Sequence, residues 1–319
     1  MNICYDIDCY KPVNNPVVTI GTFDGVHLGH QKIISTLIET AHKENGESII
    51  LTFWPHPRMI VSDYPDEIKL LNTLNEKIEI FRNLGVQNLV FIPFTKEFSK
   101  QAPATFLKDI MIDKIKAKFI IIGHDHRFGH DREGSYSFLE ENQLKYGYKT
   151  IEIEAFEVDE VAISSTKIRK AIEDGNIIKA TSYLGYEYSL TGFVKKGIGL
   201  GKKIGFPTAN IEGIEHEKQV PADGVYVVKV VVCNEQYLGM LNIGDNPTIN
   251  NKGRSVEVNI FDFTDDIYDQ PINILFIDRL RSEIRFDNLE LLSQQIKADE
   301  IAALEVIRSY KNYPDDKSY

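Results

Sequence analysis

Cysteine is scarce and unpatterned in this sequence. Cys4, Cys9 and Cys233 are odd in number and match neither a metal-ligand nor a disulfide spacing, which fits a reducing cytoplasm. No apolar run approaches the length of a membrane span; Tyr226 to Cys233 is strand-sized. No basic segment followed by an apolar one opens the chain, so no signal peptide is read. Positive charge is also in deficit. The formal net charge of −11 excludes the basic face that nucleic-acid binding needs, although a phosphorylated small molecule can still be held by local amides and a few cations. Internal repeats and low-complexity tracts are absent as well.

What is present suits a globular protein of two domains: 319 residues, of which 43% are apolar and 26% charged. The run Thr19-Ile20-Gly21-Thr22-Phe23-Asp24-Gly25-Val26-His27-Leu28-Gly29-His30-Gln31 follows an apolar strand, Val17 to Ile20. It precedes a helix marked by Ile33, Ile34, Leu37, Ile38 and Ala41. A strand, a glycine-bearing turn and a helix N-terminus in that order present free N–H groups and a positive dipole end to an anion. Gly21 and Gly25 permit tight or left-handed backbone, and Gly29 leaves room for a bulky ligand. From this run alone the turn could equally be a connector, and the two histidines a metal-ligand pair or a solvated helix face.

Further strands are read at Ser48–Trp54, Asn88–Phe94, Lys118–Gly123 and Lys149–Phe156. Helices are read at Thr73–Leu84, Pro103–Lys116 and Ser135–Tyr146. The strands are apolar on both faces and alternate with helices, which predicts a doubly wound parallel sheet. Its ligand should lie beyond the C-terminal strand ends, where Gly21–His30 falls. Lys167 to Gly185 reads as one or two helices closing this domain. Beyond it, Ser189–Lys195, Gly224–Val232, Tyr237–Asn242, Ser255–Phe263 and Ile272–Ile277 are short strands without helices between them. They predict an antiparallel β-barrel, followed by a long amphipathic helix over Asn288–Tyr310. The boundary is placed at 185/186.

Four stretches of the first half carry chemistry. Beside the opening run stand Ile163-Ser164-Ser165-Thr166-Lys167-Ile168-Arg169 before a helix, Thr52-Phe53-Trp54-Pro55-His56-Pro57, and Gly123-His124-Asp125-His126-Arg127-Phe128-Gly129. Hydroxyls, helix-start amides and two cations in the Ser165–Arg169 segment suit a leaving pyrophosphate, although a simple helix cap accounts for Ser165 or Thr166 by itself. Together the four resemble the FAD synthetase module of the prokaryotic bifunctional riboflavin kinase/FAD synthetase family, a nucleotidyltransferase with a His-x-Gly-His signature. The resemblance implies that an FMN phosphate oxygen attacks the α-phosphate of ATP and pyrophosphate leaves. By the same pattern His27 and His30 would bind the ATP phosphates, and Ser165, Thr166 and Arg169 would hold the β- and γ-phosphates. Gly21, Phe23, Asp24 and Gly29 would shape the nucleotide site, and Phe53 and Asp125 would lie against flavin or nucleotide. His126 departs from the family's Gly-x-Asp-Phe-x-Phe-Gly, since it stands where the first aromatic is usual. His124, His126 and His130 also raise a metal reading, against which no closing acidic or cysteine ligand is spaced.

The second half carries a glycine-rich segment, Gly192 to Asn210, with five glycines in fourteen residues and Lys195, Lys196, Lys202 and Lys203 among them. Such a loop can wrap a triphosphate. Within it Gly205-Phe206-Pro207-Thr208-Ala209-Asn210 resembles the riboflavin kinase signature, which implies Mg²⁺ and phosphate at Thr208 and Asn210, with Gly199, Gly201, Lys202 and Pro207 around the nucleotide. Both side chains present the hard oxygens that Mg²⁺ prefers. Asn242-Ile243-Gly244-Asp245-Asn246-Pro247-Thr248 and Arg254-Ser255-Val256-Glu257-Val258-Asn259 also match, and Glu257 corresponds to the family's catalytic base. The implied activities are riboflavin plus ATP to FMN, then FMN plus ATP to FAD. A nucleotidyltransferase acting on another phosphate ester would have no reason to carry the barrel motifs. A flavin-binding regulator would have no reason to keep His27, His30, Thr208, Asn210 and Glu257 together. Only small molecules (ATP, riboflavin, FMN) are expected as partners, with the chain a monomer or weak homo-oligomer.

Overall fold

The computed structural model describes residues 1–158, 161–197, 201, 205–245 and 254–311. The chain forms two compact units, Met1–Ser165 and Thr166–Tyr319.

In the first unit the chain runs through β1 (Asn2–Cys4), β2 (Pro16–Ile20), α1 (Leu28–Lys43), β3 (Glu47–Trp54), α2 (Pro57–Val61), α3 (Leu74–Asn83) and β4 (Asn88–Pro93). It continues through α4 (Pro103–Phe106), β5 (Phe119–Gly123), α5 (Tyr136–Tyr146), β6 (Lys149–Ile153) and the small hairpin β7 (Glu157–Val158) and β8 (Val161–Ala162). The six strands β1 to β6 form one parallel sheet in the order β1-β4-β3-β2-β5-β6. Every residue of β2 is buried, as a central strand covered on both faces requires. Val17 packs with Ile34, Leu37 and Phe81 from α1 and α3 on one face. Val18 and Ile20 pack with Phe106, Leu107, Met111 and Leu139 on the other.

Short α2, the β7–β8 hairpin and two further features exceed the sequence reading. Strand β1 adds a sixth strand at the edge, beside β4; at three residues it is too short to carry an apolar alternation. The helix expected over 103–116 turns π-helical over Leu107–Lys114, with Ile115 N–H bonding Ile110 O at 2.9 Å. By contrast, α3 starts where Thr73 and Glu76 form a reciprocal capping box.

After β2 the chain moves outward to β3 and β4, then returns to lay β5 on the other side of β2. The gap beyond the C-terminal ends of β2 and β5 is therefore the topological switch point, where an open parallel sheet leaves a crevice. The loops after these strands are Gly21–His27 and His124–Gly129.

The second unit contains α6 (Ser165–Glu173, whose first residue belongs to the first unit), α7 (Ile177–Leu184), β9 (Ser189–Lys195), β10 (Ala209–Glu212), β11 (Gly224–Val232), β12 (Glu235–Asp245), β13 (Arg254–Ile260), β14 (Pro271–Arg281) and α8 (Leu289–Lys311). Strands β9 to β14 close an antiparallel barrel in the order β10-β13-β12-β11-β14-β9. Five of these strands were expected; β10 is the addition, four residues placed directly after Pro207-Thr208 and too short to show a period. Leu190, Tyr226, Val228, Val256, Val258 and Phe276 are buried on barrel strands. On the outer side Ala303 and Ile307 of α8 pack with Val227, Met240 and Ile277. Arg281 of β14 grips Asp299 of α8 with Nε at 2.9 Å and Nη2 at 2.7 Å, which fixes that helix on the barrel.

Candidate functional sites

A cavity of about 760 Å³ occupies the switch point of the first unit. Its wall includes Gly21, Phe23, His27, Gly29 and His30 after β2, Phe53 on β3, Gly123 to Gly129 after β5, and Ser165. The turn that feeds it is wound against preference. Phe23 has φ 48° and Val26 has φ 33°, both in the left-handed region, beside Gly25 at φ 84°. Strain of this kind persists where surrounding structure holds it, here through Lys77, whose Nζ donates to Thr22 O at 2.8 Å.

His27 caps α1 without giving it a side-chain hydrogen bond, so the first-turn amides are left to a ligand. Its ring stacks on that of His30 at 3.7 Å between centroids and 18° between planes. Phe23 meets His30 edge-on at 5.2 Å and Phe81 at 5.7 Å, so Phe23 braces the histidine pair from beneath. Gly29 lines the cavity, and a Cβ there would also press on the His27 ring at 3.3 Å. The glycine clears the histidine. Asp24 is buried and is absent from the cavity wall; its Oδ1 accepts from Leu71 N–H at 2.8 Å, and its carbonyl accepts from Ser165 Oγ–H at 2.8 Å. It fixes the turn and Ser165.

Burial dominates the protonation of the site. It pushes His27 down to about 4, against the opposing pull of Asp24 and Asp125. Burial also holds His30 well below the usual imidazole range, and the charges of His27, Lys77 and His126 add to that. His126 falls to about 4, again from burial, with Arg127 and Arg132 pressing in the same direction and Asp125 opposing. All three imidazoles are neutral at pH 7. Each leaves one buried nitrogen without a hydrogen-bond partner: His27 Nδ1, His30 Nδ1 and His126 Nε2. Such atoms are costly unless a ligand completes them.

The far side of the cavity is aromatic. Phe53, Phe94 and Phe98 contact one another at 5.5–5.8 Å between ring centroids. Phe98 meets Phe106 at 6.1 Å, Phe106 meets Phe128 at 5.6 Å, and His126 lies nearly parallel to Phe128 at 6.2 Å. His124 bonds Glu152 through Nδ1 at 2.9 Å, and among the described residues no group of three His, Cys, Asp or Glu could hold a metal. The metal reading of these histidines therefore finds no support there.

In the second unit, Glu257 sits between inward-facing Val256 and Val258 and so faces out of the barrel. It lies directly opposite Asn210 of β10 and Asn242 of β12, which puts the three side chains on one face. Thr208 Oγ1 donates to Glu257 Oε2 at 3.1 Å. Pro207 O accepts from Asn259 Nδ2 at 2.7 Å, which anchors the segment leading to Thr208. Gly201 O accepts from Phe206 N–H at 2.8 Å, and a side chain at Gly197 would overlap the Asn210 amide. Of the glycine-rich segment, the described Gly197 and Gly201 thus lie against Asn210 and Phe206.

Both halves match known families separately and in order. The FAD synthetase family model matches residues 10–167, and the riboflavin kinase family model matches residues 184–307. A bifunctional riboflavin kinase/FMN adenylyltransferase of Buchnera aphidicola subsp. Schizaphis graminum is 36% identical over 318 residues, covering 98% of this chain and 99% of its own. The chain belongs to the bifunctional riboflavin kinase/FMN adenylyltransferase family. The Escherichia coli K12 member is 34% identical over 296 residues, covering 92% of this chain and 93% of its own. A solved structure described as a macrolide-efflux protein of Streptococcus pneumoniae shares the fold of the whole chain, with a TM-score of 0.86, 32% identity and coverage of 94% and 97%. No described helix of this family member is long and apolar enough to cross a membrane.

Set against the family's motifs, the structure gathers Gly21, Phe23, His27, Gly29, His30, Phe53, Asp125 and Ser165 at one cavity, and Thr208, Asn210 and Glu257 at one barrel face. Thr166 and Arg169 fall in the second unit, where Arg169 Nη2 donates to Thr166 Oγ1 at 3.5 Å. Gly199, Lys202 and the Asn246-Pro247-Thr248 stretch lie outside the described residues. Lys77, Phe94, Phe98 and Phe106 escaped the sequence reading. The phenylalanines have nothing in their local sequence that marks a site, and only a lysine on the apolar face of α3, beside Ile78 and Phe81, gave a signal.

Proposed function

We propose that the chain phosphorylates riboflavin at the Glu257 face and adenylylates the resulting FMN in the switch-point cavity. The cavity carries this reading: a histidine pair with open nitrogens at a helix N-terminus faces a wall of phenylalanines across about 760 Å³. One end suits phosphates, and the other suits a flat flavin ring. The adenylyltransferase domain is taken as residues 1–185 and the kinase domain as 186–319; the family matches end at 167 and begin at 184, and the compact units divide at 165/166.

In the first reaction Glu257 takes the proton of the ribityl 5′-hydroxyl as its oxygen attacks the γ-phosphate of ATP and ADP leaves. Thr208 orients that carboxylate through its 3.1 Å hydrogen bond. The oxygens of Thr208, Asn210 and Glu257 fit Mg²⁺, which is bound through few protein ligands plus substrate phosphates. Thr208 and Asn210 would hold it, and when bound it neutralises phosphate charge. In the second reaction an FMN phosphate oxygen attacks the α-phosphate of ATP, the α–β bridge breaks, and pyrophosphate leaves. His27, His30 and the α1 amides hold the nucleotide's phosphates, and Ser165, on the wall of the same cavity, receives the leaving group. The histidines are neutral beforehand, so each offers a single ring N–H to a phosphate oxygen. The enzyme works in the cytoplasm.

Incubating purified protein with riboflavin, ATP and Mg²⁺, then separating products by chromatography, tests both steps together. FMN followed by FAD is expected. Absence of both overturns the reading.

A further inference from the structure

Position 126, between Asp125 and Arg127 in the loop after β5, is a histidine. In the structure that histidine does two things. Its ring lies at 26° to Phe128, 6.2 Å between centroids, so the flat surface of the aromatic wall continues across it. Its Nε2 is buried without a hydrogen-bond partner, which a phenylalanine would not have brought. Both His126 and Phe128 line the cavity, with Arg127 and Arg132 beside them.

The position is informative. His126 lines the same cavity as His30, on which its charge acts, and it lies against Phe128 of the aromatic wall. It stands where the phosphate end of the cavity meets the ring end. A substrate with its ring on the phenylalanines and its phosphate directed at the histidine pair passes this point. The charges acting on the His126 ring come from Arg127 and Arg132, against the single carboxylate of Asp125, so the local balance favours an anion.

We propose that His126 is a binding residue for the phosphate of FMN: stacked on Phe128, it donates a hydrogen bond to a phosphate oxygen and holds that nucleophile beside the nucleotide at His30. The proposal rests on the cavity being the adenylylation site. It concerns the phosphate of FMN and not its ring.

The test uses the full chain and reads FAD formation from FMN and ATP. Lumiflavin serves as a ring-only competitor; lacking the ribityl chain, it offers the kinase site no hydroxyl to phosphorylate. His126→Phe should raise KM for FMN about tenfold, while KM for ATP and inhibition by lumiflavin stay within about twofold. His126→Gln, which can still donate, should bring KM for FMN back to within about threefold of the unmodified protein. Trp54, the single tryptophan, lies in the first unit, and its fluorescence checks that each variant is folded. Unchanged KM for FMN in His126→Phe overturns the proposal. So does an equal weakening of FMN and lumiflavin, which would place the contact on the ring. Unmodified protein that makes no FAD, or that lumiflavin does not inhibit, removes the reading of the cavity itself.

Discussion

Lys77 Nζ donates to the carbonyl oxygen of Thr22 at 2.8 Å from a side chain that is 1% exposed. A cation so deeply buried is rare unless it is paired, and burial lowers this one to about 8, with Asp24 opposing. It remains largely protonated at pH 7 and ties α3 to the strained turn that carries the histidine pair. Lys77→Met keeps the length and apolar stem but leaves the Thr22 carbonyl without its donor. The first unit should lose about 2 kcal/mol by Trp54-detected urea unfolding. FAD formation should fall more than tenfold while riboflavin phosphorylation continues. A variant that matches the unmodified protein in both would show that the turn holds itself.

His30→Ala removes one member of the stacked pair and exposes the ring of His27. FAD formation from FMN should drop by at least about 100-fold, as for loss of one preorganised transition-state donor. Formation of FMN from riboflavin should persist. Survival of FAD synthesis at the original rate would discard the proposed role of the pair.

Glu257→Gln gives the mirror image. The amide still fits the space beside Thr208 but cannot accept the ribityl proton, so riboflavin phosphorylation should fall roughly 100- to 10,000-fold. Adenylylation of supplied FMN should stay. Loss of both activities in this variant would refute the independence of the two sites.

The histidines also set a pH dependence. His27 and His126 have folded-state values near 4, below the 6.5 of an unperturbed imidazole, so the unfolded chain takes up protons more readily than the native one. The stability they contribute is complete above about 6.5 and is lost progressively as the pH falls from there toward 4. Trp54-detected unfolding should therefore show a steep decline between pH 6.5 and 5, shallower in His126→Phe, which has one proton fewer to bind. Equal slopes in the two proteins would mean that His126 is not buried in its neutral form.

Much of this could be read in advance because the signals are local. A strand buried on both faces, such as β2, announces itself as an unbroken apolar run, and α3 declares its start through Thr73 and Glu76. The three-residue β1 and four-residue β10 gave no such signal, since their pairing partners lie far away in sequence and supply most of the reason they are strands. The His27–His30 pair was visible as a motif; the local contacts of Gly29 and Asp24 were not. That a side chain at Gly29 would meet the His27 ring, and that Asp24 accepts from Leu71 N–H, are contacts between residues that only the fold brings together.

The sequence by itself determined the order of elements, the change from parallel sheet to barrel, and the identity of the groups able to do phosphate chemistry, because periodicity and side-chain type are properties of short stretches. Tertiary structure alone decided that β5 returns beside β2 to open the crevice, that seven phenylalanines line it, and that burial holds three imidazoles neutral with open nitrogens. Desolvation is the physical reason: the protonation state of a histidine depends on what surrounds it, and only the fold determines those surroundings.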